Sequence, residues 1–160
     1  MAAPNINPAD RYFDVGTTRV IWCTTIANIA APTRSELNAG IDLSPEVAEF
    51  EGFSVTAEEI ETPDMQSLFA GKIGGKTSVD DSSLTFYASR DGNDVRQILP
   101  ISTEGYVVWM DGGDIAGHSM DVYPVRVRST PKQRSTSDAA RIQVQFSVTR
   151  VPQENLAIPA

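Results

Sequence analysis

The segment Gly71-Lys72-Ile73-Gly74-Gly75-Lys76-Thr77 comes nearest to a chemical signature, the glycine-rich loop that cradles phosphates with backbone amides and a lysine. Its spacing is off by one: the first glycine belongs at Ala70, and Gly71 falls too late. No apolar strand leads into it and no helix follows, so a flexible loop is the better reading. His118 is the only histidine, which excludes a His-based metal cluster or a relay between two histidines. Cys23 sits mid-strand beside Trp22, the position of a small buried filler rather than a nucleophile. A Cys–His dyad would need Cys23 and His118 to meet, with Asp or Asn support. Asp111, Asp114 and Asp121 could share a cation, but their spacing matches no calcium loop and a turn explains them better. Glu58 and Glu59 are neighbours on a predicted strand and project to opposite faces, so they are poor partners for acid/base work. Trp22, Tyr87, Tyr106, Trp109 and Tyr123 could stack on a sugar, yet most sit at core-compatible positions. No catalytic, metal or cofactor constellation emerges, and the expectation is a protein that is not an enzyme.

The scaffold that places these residues is bounded by composition. A chain of 160 residues suits one domain, which buries roughly 70% of its unfolded surface. The 41% apolar content supports a core, and 11 glycines with 10 prolines supply the many turns of an all-β protein. One cysteine excludes an intrachain disulfide framework and suits a reducing compartment. No apolar run is long enough for a membrane span, and the opening MAAPNINPADR lacks the layout of a secretion signal, so cytoplasmic synthesis is expected. A net charge of −8 argues against binding nucleic acid by neutralising phosphates. The charge is also divided. Residues 42–64 hold eight acidic side chains (Asp42, Glu46, Glu49, Glu51, Glu58, Glu59, Glu61, Asp64) and no basic one. Residues 126–141 hold Arg126, Arg128, Lys132, Arg134 and Arg141 against the lone Asp138. Two solvated faces would explain this, and so would complementary patches on identical subunits, which close into rings or run on as filaments.

Along the chain, Pro4 and Pro8 make residues 1–9 an arm. Strands are predicted over residues 11–15 and 18–26, the second apolar on both faces and so covered on two sides. Thr33 or Ser35 could cap one helical turn ending at Gly40, and residues 41–51 read as a loop with extended pieces. A strand over 52–62 ends at Pro63, and residues 65–79 form a glycine-rich excursion. The strand over 83–89 points Leu84, Phe86 and Ala88 inward and Thr85 and Tyr87 outward. Asn93 or Asp94 caps the main predicted helix, which ends at Pro100. Strands follow over 105–110 and 120–128, with Pro124 marking an edge or bulge in the latter. A basic loop, 129–138, leads to the strand RIQVQFSVT, and residues 151–160 form a C-terminal arm. In RIQVQFSVT, Ile142, Val144, Phe146 and Val148 share one face, while Gln143, Gln145, Ser147 and Thr149 make an uncharged polar row on the other.

In order, RYFDVG and TRVIWCTT, the acidic EFEGFSVTAEEIETPD, GKIGGKTSVDD, LTFYAS leading into DGNDVRQIL, EGYVVWMDGG, DVYPVRVRS and AARIQVQFSVTRVP resemble a bacteriophage major tail tube protein of the long-tailed phages. Related tubes occur in contractile tails and in type VI secretion. The resemblance implies an all-β sandwich or barrel of about six to eight strands with one flanking helix, in a single domain over 1–160 with arms at 1–9 and 151–160. It implies a homo-oligomer of hexameric rings stacked into a tube. Tail tip, tape measure and terminator proteins are the implied partners, genomic DNA passes without specific binding, and no membrane or cofactor is involved. The location is the virion tail, after synthesis and assembly in the host bacterial cytoplasm. Segments 28–51 and 65–81 would then join rings.

A tube that conducts DNA must not hold it, so Gln143, Gln145, Glu58, Glu59 and Glu61 are candidates for the lumen wall. Arg126, Arg128, Lys132 and Arg134, with Asp42, Glu46 and Glu49, are candidates for subunit contacts. Two other readings stay open: another virion component, such as a tail terminator or capsid decoration protein, and a stand-alone carbohydrate-binding β-sandwich module.

Overall fold

Alternating apolar residues produce most of the strands observed. The computed structural model describes residues 2–160. Its strands are β1 (Arg19–Cys23), β2 (Ile41–Asp42), β3 (Val47–Glu51), β4 (Val55–Thr62), β5 (Gly71–Val79), β6 (Ser82–Tyr87), β7 (Glu104–Met110), β8 (Ser119–Ser129), β9 (Lys132–Gln133), β10 (Arg141–Val148) and β11 (Gln153–Ala157). Nine of them form an antiparallel sheet in the order β2-β1-β7-β8-β10-β6-β3, with β9 added to β10 and β11 to β8. The two ends of this path are consecutive in the chain, joined by Leu43 and a 3-10 turn at Ser44–Glu46. Leu43 is buried in the core and donates its N–H to the Val20 carbonyl at 2.9 Å, so the sheet curls until its ends come together as a barrel-like sandwich.

The interior is filled by Trp22, Leu84, Phe86, Val107, Trp109, Tyr123, Val125, Ile142, Val144 and Phe146. A second apolar layer, with Ile21, Cys23, Val108, Met110, Met120 and Val122, lies on the opposite face of β1, β7 and β8, where Ile26, Leu37 and Ile158 cover it. This second layer is why β1 is apolar on both faces, as its sequence predicts.

Two one-turn helices flank the sheet, α1 (Arg34–Asn38) and α2 (Val95–Ile98), where one main helix was expected. Thr33 caps α1 in a reciprocal box with Glu36, and the Arg34 guanidinium grips both oxygens of Asp114 at 2.5 and 2.6 Å. Asp94 caps α2 and is held by Arg96, which lowers its carboxyl to about 2. Because that value lies below the ordinary carboxylate value, the stabilisation is present at neutral pH and disappears as pH falls from about 4 toward 2. Asp94→Asn is expected to cost about 1–2 kcal/mol at pH 7. Urea melts should show the gap to the unaltered chain closing by pH 2.

Four segments differ from expectation. Residues 11–15 are not a strand: β2 and β7 occupy both edges of β1, so they cannot pair with it as a hairpin, and the chain instead turns at Asp14, whose carbonyl accepts from Thr17 and Thr18 at 3.1 and 2.9 Å. The glycine-rich excursion forms β5, paired with β4 as a separate two-stranded hairpin. Gly75 permits this, since a Cβ there would stand 3.1 Å from the Ile60 side chain that lies across it. Residues 151–160 are not a free arm: β11 pairs with β8, and Ile158 is 2% exposed. Within the expected basic loop, β9 adds to β10. Pro124 stands mid-strand in β8, at the seam where its neighbour changes from β10 to β11, so no ladder bond is lost. Its carbonyl on that side accepts from Thr149 at 3.0 Å.

Candidate lumen and assembly surfaces

The outer face of β10 and β6 is a polar lattice built on a buried apolar face. Ile142, Val144 and Phe146 point into the core, so Gln143, Gln145 and Ser147 must point out. Register continues the pattern across neighbouring strands: Glu49, Thr85 and Gln143 form one row, and Glu51, Ser83, Gln145 and Ser129 the next. The groups satisfy one another. Ser129 Oγ donates to Gln145 Oε1 at 2.6 Å, Gln143 Nε2 donates to Ser83 Oγ at 3.2 Å, and Gln145 Nε2 reaches Gln143 Oε1 at 3.4 Å. Thr85 was expected to be outward and is, yet it is only 4% exposed, flanked in its row by Glu49 and Gln143. Charges stand only at the margins. Arg141 pairs with Glu49 at 2.9 Å and lies over the Tyr87 ring, and Arg126, the cross-strand partner of Ser147, is 3.9 Å from Glu104. Ser83, Thr85 and Ser129 were not foreseen as part of this face. Alternation in β6 pointed to the first two, but the register that brings Ser129 beside Gln145 is not encoded locally.

Glu58, Glu59 and Glu61 do not join that lattice. They lie on β4 in the separate hairpin, exposed, with Glu59 paired to Lys72 at 2.9 Å. The hairpin also exposes Ile60 and Ile73, and its tip exposes Met65, Leu68 and Phe69. Its root is fixed. Gly52 and Phe53 both adopt left-handed backbone, at φ 76° and 55°. The Phe53 ring packs 5.2 Å from Trp109, 5.3 Å from Tyr123 and 6.0 Å from Phe146. The Tyr123 hydroxyl donates to the Phe53 carbonyl, and burial raises that phenol well above its ordinary value.

The contact candidates are divided in the same way. Asp42 pairs with Arg19 at 3.0 Å and Glu49 with Arg141, so both are engaged within the chain. Glu46 lines a cavity of about 550 Å³ with Asp42, Phe86, Tyr87 and Ile98 beside α2. Arg126 and Arg128 are half-exposed and make long contacts, 3.9 Å to Glu104 and 3.8 Å to Asp81, of the kind worth little in water. Lys132 and Arg134 are exposed and make no ion pair among the described residues.

The possible chemistry recedes on the same geometry. Cys23 is buried with Sγ 3.8 Å from the Glu36 carbonyl, and burial, then Glu36, pushes its thiol up to about 11. Such a thiol stays protonated and is a poor nucleophile. Asp114 is engaged by Arg34, apart in role from Asp111 and Asp121. The amides of Gly71 to Thr77 belong to a strand paired with β4, not to a phosphate cradle. Trp22, Trp109 and Tyr123 are in the core, while Arg141 and Arg150 cover the Tyr87 and Tyr106 rings.

The fold is thus a curled antiparallel barrel with a self-satisfied polar face and a separate two-stranded hairpin whose tip exposes apolar side chains. The chain belongs to the phage tail tube protein family, whose model matches residues 6–160. It is thus a structural component of the virion tail. Two solved structures share the fold. One is a chain of the anti-feeding prophage baseplate, solved by cryo-electron microscopy with six-fold symmetrisation, at TM-score 0.59 and 10% identity, covering 98% of both chains. The other is the SPP1 tail tube, at TM-score 0.57 and 15% identity, covering 89% of this chain and 78% of that one. No curated protein is similar to the chain in sequence.

Proposed function

We propose that copies of this chain form six-membered rings that stack into a hollow tube, through which the genome passes into the host at ejection. The observation that carries this reading is the β10–β6 lattice. A wall of amides and hydroxyls bonded to one another offers phosphates few free donors and little net charge, so DNA slides without being held. Gln143 and Gln145, with Ser129, line the lumen, and the buried Ser83 and Thr85 support them from beneath. Glu58, Glu59 and Glu61 sit on the hairpin, and we assign them to contacts between rings rather than to the wall. Six-fold symmetrisation of the structurally similar baseplate supports the ring size. The N-terminal arm, tail tip, tape measure and terminator complete the assembly, which takes place in the host bacterial cytoplasm.

Electron microscopy of the purified protein tests this reading. Rings or tubes with a central channel are expected. A persistent monomer that binds glycans would overturn it in favour of a carbohydrate module, and a single ring that never stacks would favour a terminator. The subunit-contact role of Arg126 and Arg128 has its own test. Reversing both to Glu breaks long, exposed contacts within the subunit and sets like charges beside Glu104 and Asp81 in solvent, so monomer stability should move by less than about 1 kcal/mol. Assembly should be blocked, and tubes of ordinary length from this double variant would refute the role.

A further inference from the structure

One mouth of the barrel, at the start of β8, gathers Asp14, Asp111 and Asp121 around a cavity of about 160 Å³ walled by Phe50, Phe53, Trp109 and Tyr123. Alternation places Trp109 and Asp111 on one side of β7, and Asp121 is the cross-strand partner of Trp109. None of the three carboxylates pairs with Lys or Arg among the described residues. Asp14 accepts from the Thr18 hydroxyl and Asp121 from the Asn155 N–H, both at 2.8 Å. Burial, followed by the charges of Asp121 and Asp14, raises the Asp111 carboxyl above its ordinary value. Trp109 is 8% exposed, and its Nε1–H has no acceptor. A buried donor left unpaired is costly, so this socket is incomplete as it stands.

The missing occupant must bring a positive charge and an acceptor. A metal ion does not suit, because the described residues hold no group of three or more carboxylate, His or Cys side chains able to bind one. Aromatic walls suit a broad organic cation, a guanidinium or an ammonium group. Unpaired cations of this kind lie beyond the far end of the same strand. From Asp121 to Ser129 β8 advances about 3.3 Å per residue, roughly 25 Å in all. Past that end come Lys132 and Arg134, and β9 is fixed there by its pairing with Arg141 and Ile142 of β10. The segment cannot fold back onto its own socket.

We propose that Asp14, Asp111, Asp121 and the surrounding rings form a socket for the basic segment 132–134 of a second copy of this chain, one acceptor of which takes the Trp109 N–H. The contact joins one end of a subunit to the opposite end of the next. It is therefore heterologous and repeats along an axis, as stacking requires. This pairing rests on the tube reading and names the residues that hold successive copies in line.

Asp111→Asn keeps the side chain's shape and relieves repulsion, so the variant should melt at the same or a higher temperature. It should need at least about tenfold more protein to polymerise. In a second variant, Thr18→Cys at the socket and Gln133→Cys beside the two cations place thiols on both partners, while Cys23 is buried. A short bis-maleimide added to the assembled protein should give a ladder of linked multimers. Polymerisation of D111N at the ordinary concentration, or the absence of a ladder, overturns the pairing and leaves the tube reading standing. Failure of the unaltered chain to form rings or tubes overturns both.

Discussion

Gly52→Ala should be among the most damaging single substitutions in this protein. A Cβ at that position would lie 2.3 Å from the Asp81 carbonyl oxygen and 2.7 Å from the Ser82 Cα. Both are backbone atoms and cannot rotate away. The residue also holds φ at 76°, where an L side chain costs about 1–2 kcal/mol. Displacing packed backbone adds about 1–3 kcal/mol. A loss of roughly 2–5 kcal/mol is expected, a large part of the 5–15 kcal/mol typical of a domain. The damage falls at the hairpin root. There Phe53 donates its N–H to Ser82 Oγ at 3.0 Å, and Ser54 Oγ donates to Asp80 at 3.0 Å, stitching the two legs together. Urea unfolding should show the lower midpoint. A midpoint unchanged from the parent would mean that the root does not constrain the fold.

Leu68→Ser with Phe69→Ser should do the opposite: leave the subunit stable and abolish assembly at ordinary concentrations. Both side chains are fully or largely exposed at the hairpin tip, so the subunit loses no packing, and its stability should move by less than about 0.5 kcal/mol. If the tip buries these groups against the next ring, each contributes about 1.5 kcal/mol or more per contact. Two together correspond to roughly a hundredfold rise in the protein concentration needed for tubes. Sedimentation of polymer over a concentration series reads this directly. Tubes forming at the parent concentration would show that the tip stays in solvent, and would move the contact between rings elsewhere on the subunit.

Legibility of the fold followed how local each determinant was. Val20 and Trp22 alternating with Ile21 and Cys23 declare a strand covered on both sides, because the side-chain period of a strand is fixed at two. Thr33 with Glu36, and Asp94 before Val95, declare helix starts, because a cap acts within one turn. The glycines of β5 misled, since Gly71, Gly74 and Gly75 carry no side chains to show a period. Only pairing with β4, and the close passage of Ile60 over Gly75, explains why they are extended. Residues 11–15 misled in the reverse direction: they have strand-forming side chains, but the strand next in the chain, β1, is already paired on both edges.

The candidate surfaces divide along the same line. Gln143 and Gln145 were legible because an uncharged outer row beside a buried one is visible in eight consecutive residues of β10. The acidic cluster was legible only in part: Asp111 and Asp121 stood out with Asp114 as possible cation partners, but Asp114 turns to Arg34 and its place is taken by Asp14, which is remote in the chain. The sequence by itself determined an all-β chain with an uncharged row and divided charge, since composition and short-range alternation fix those properties. Only the tertiary structure decided which carboxylates share a cavity, that the glycine-rich segment is half of a hairpin, and that the C-terminal segment closes the second apolar layer. Each of these depends on register between strands distant in sequence, which no local pattern specifies.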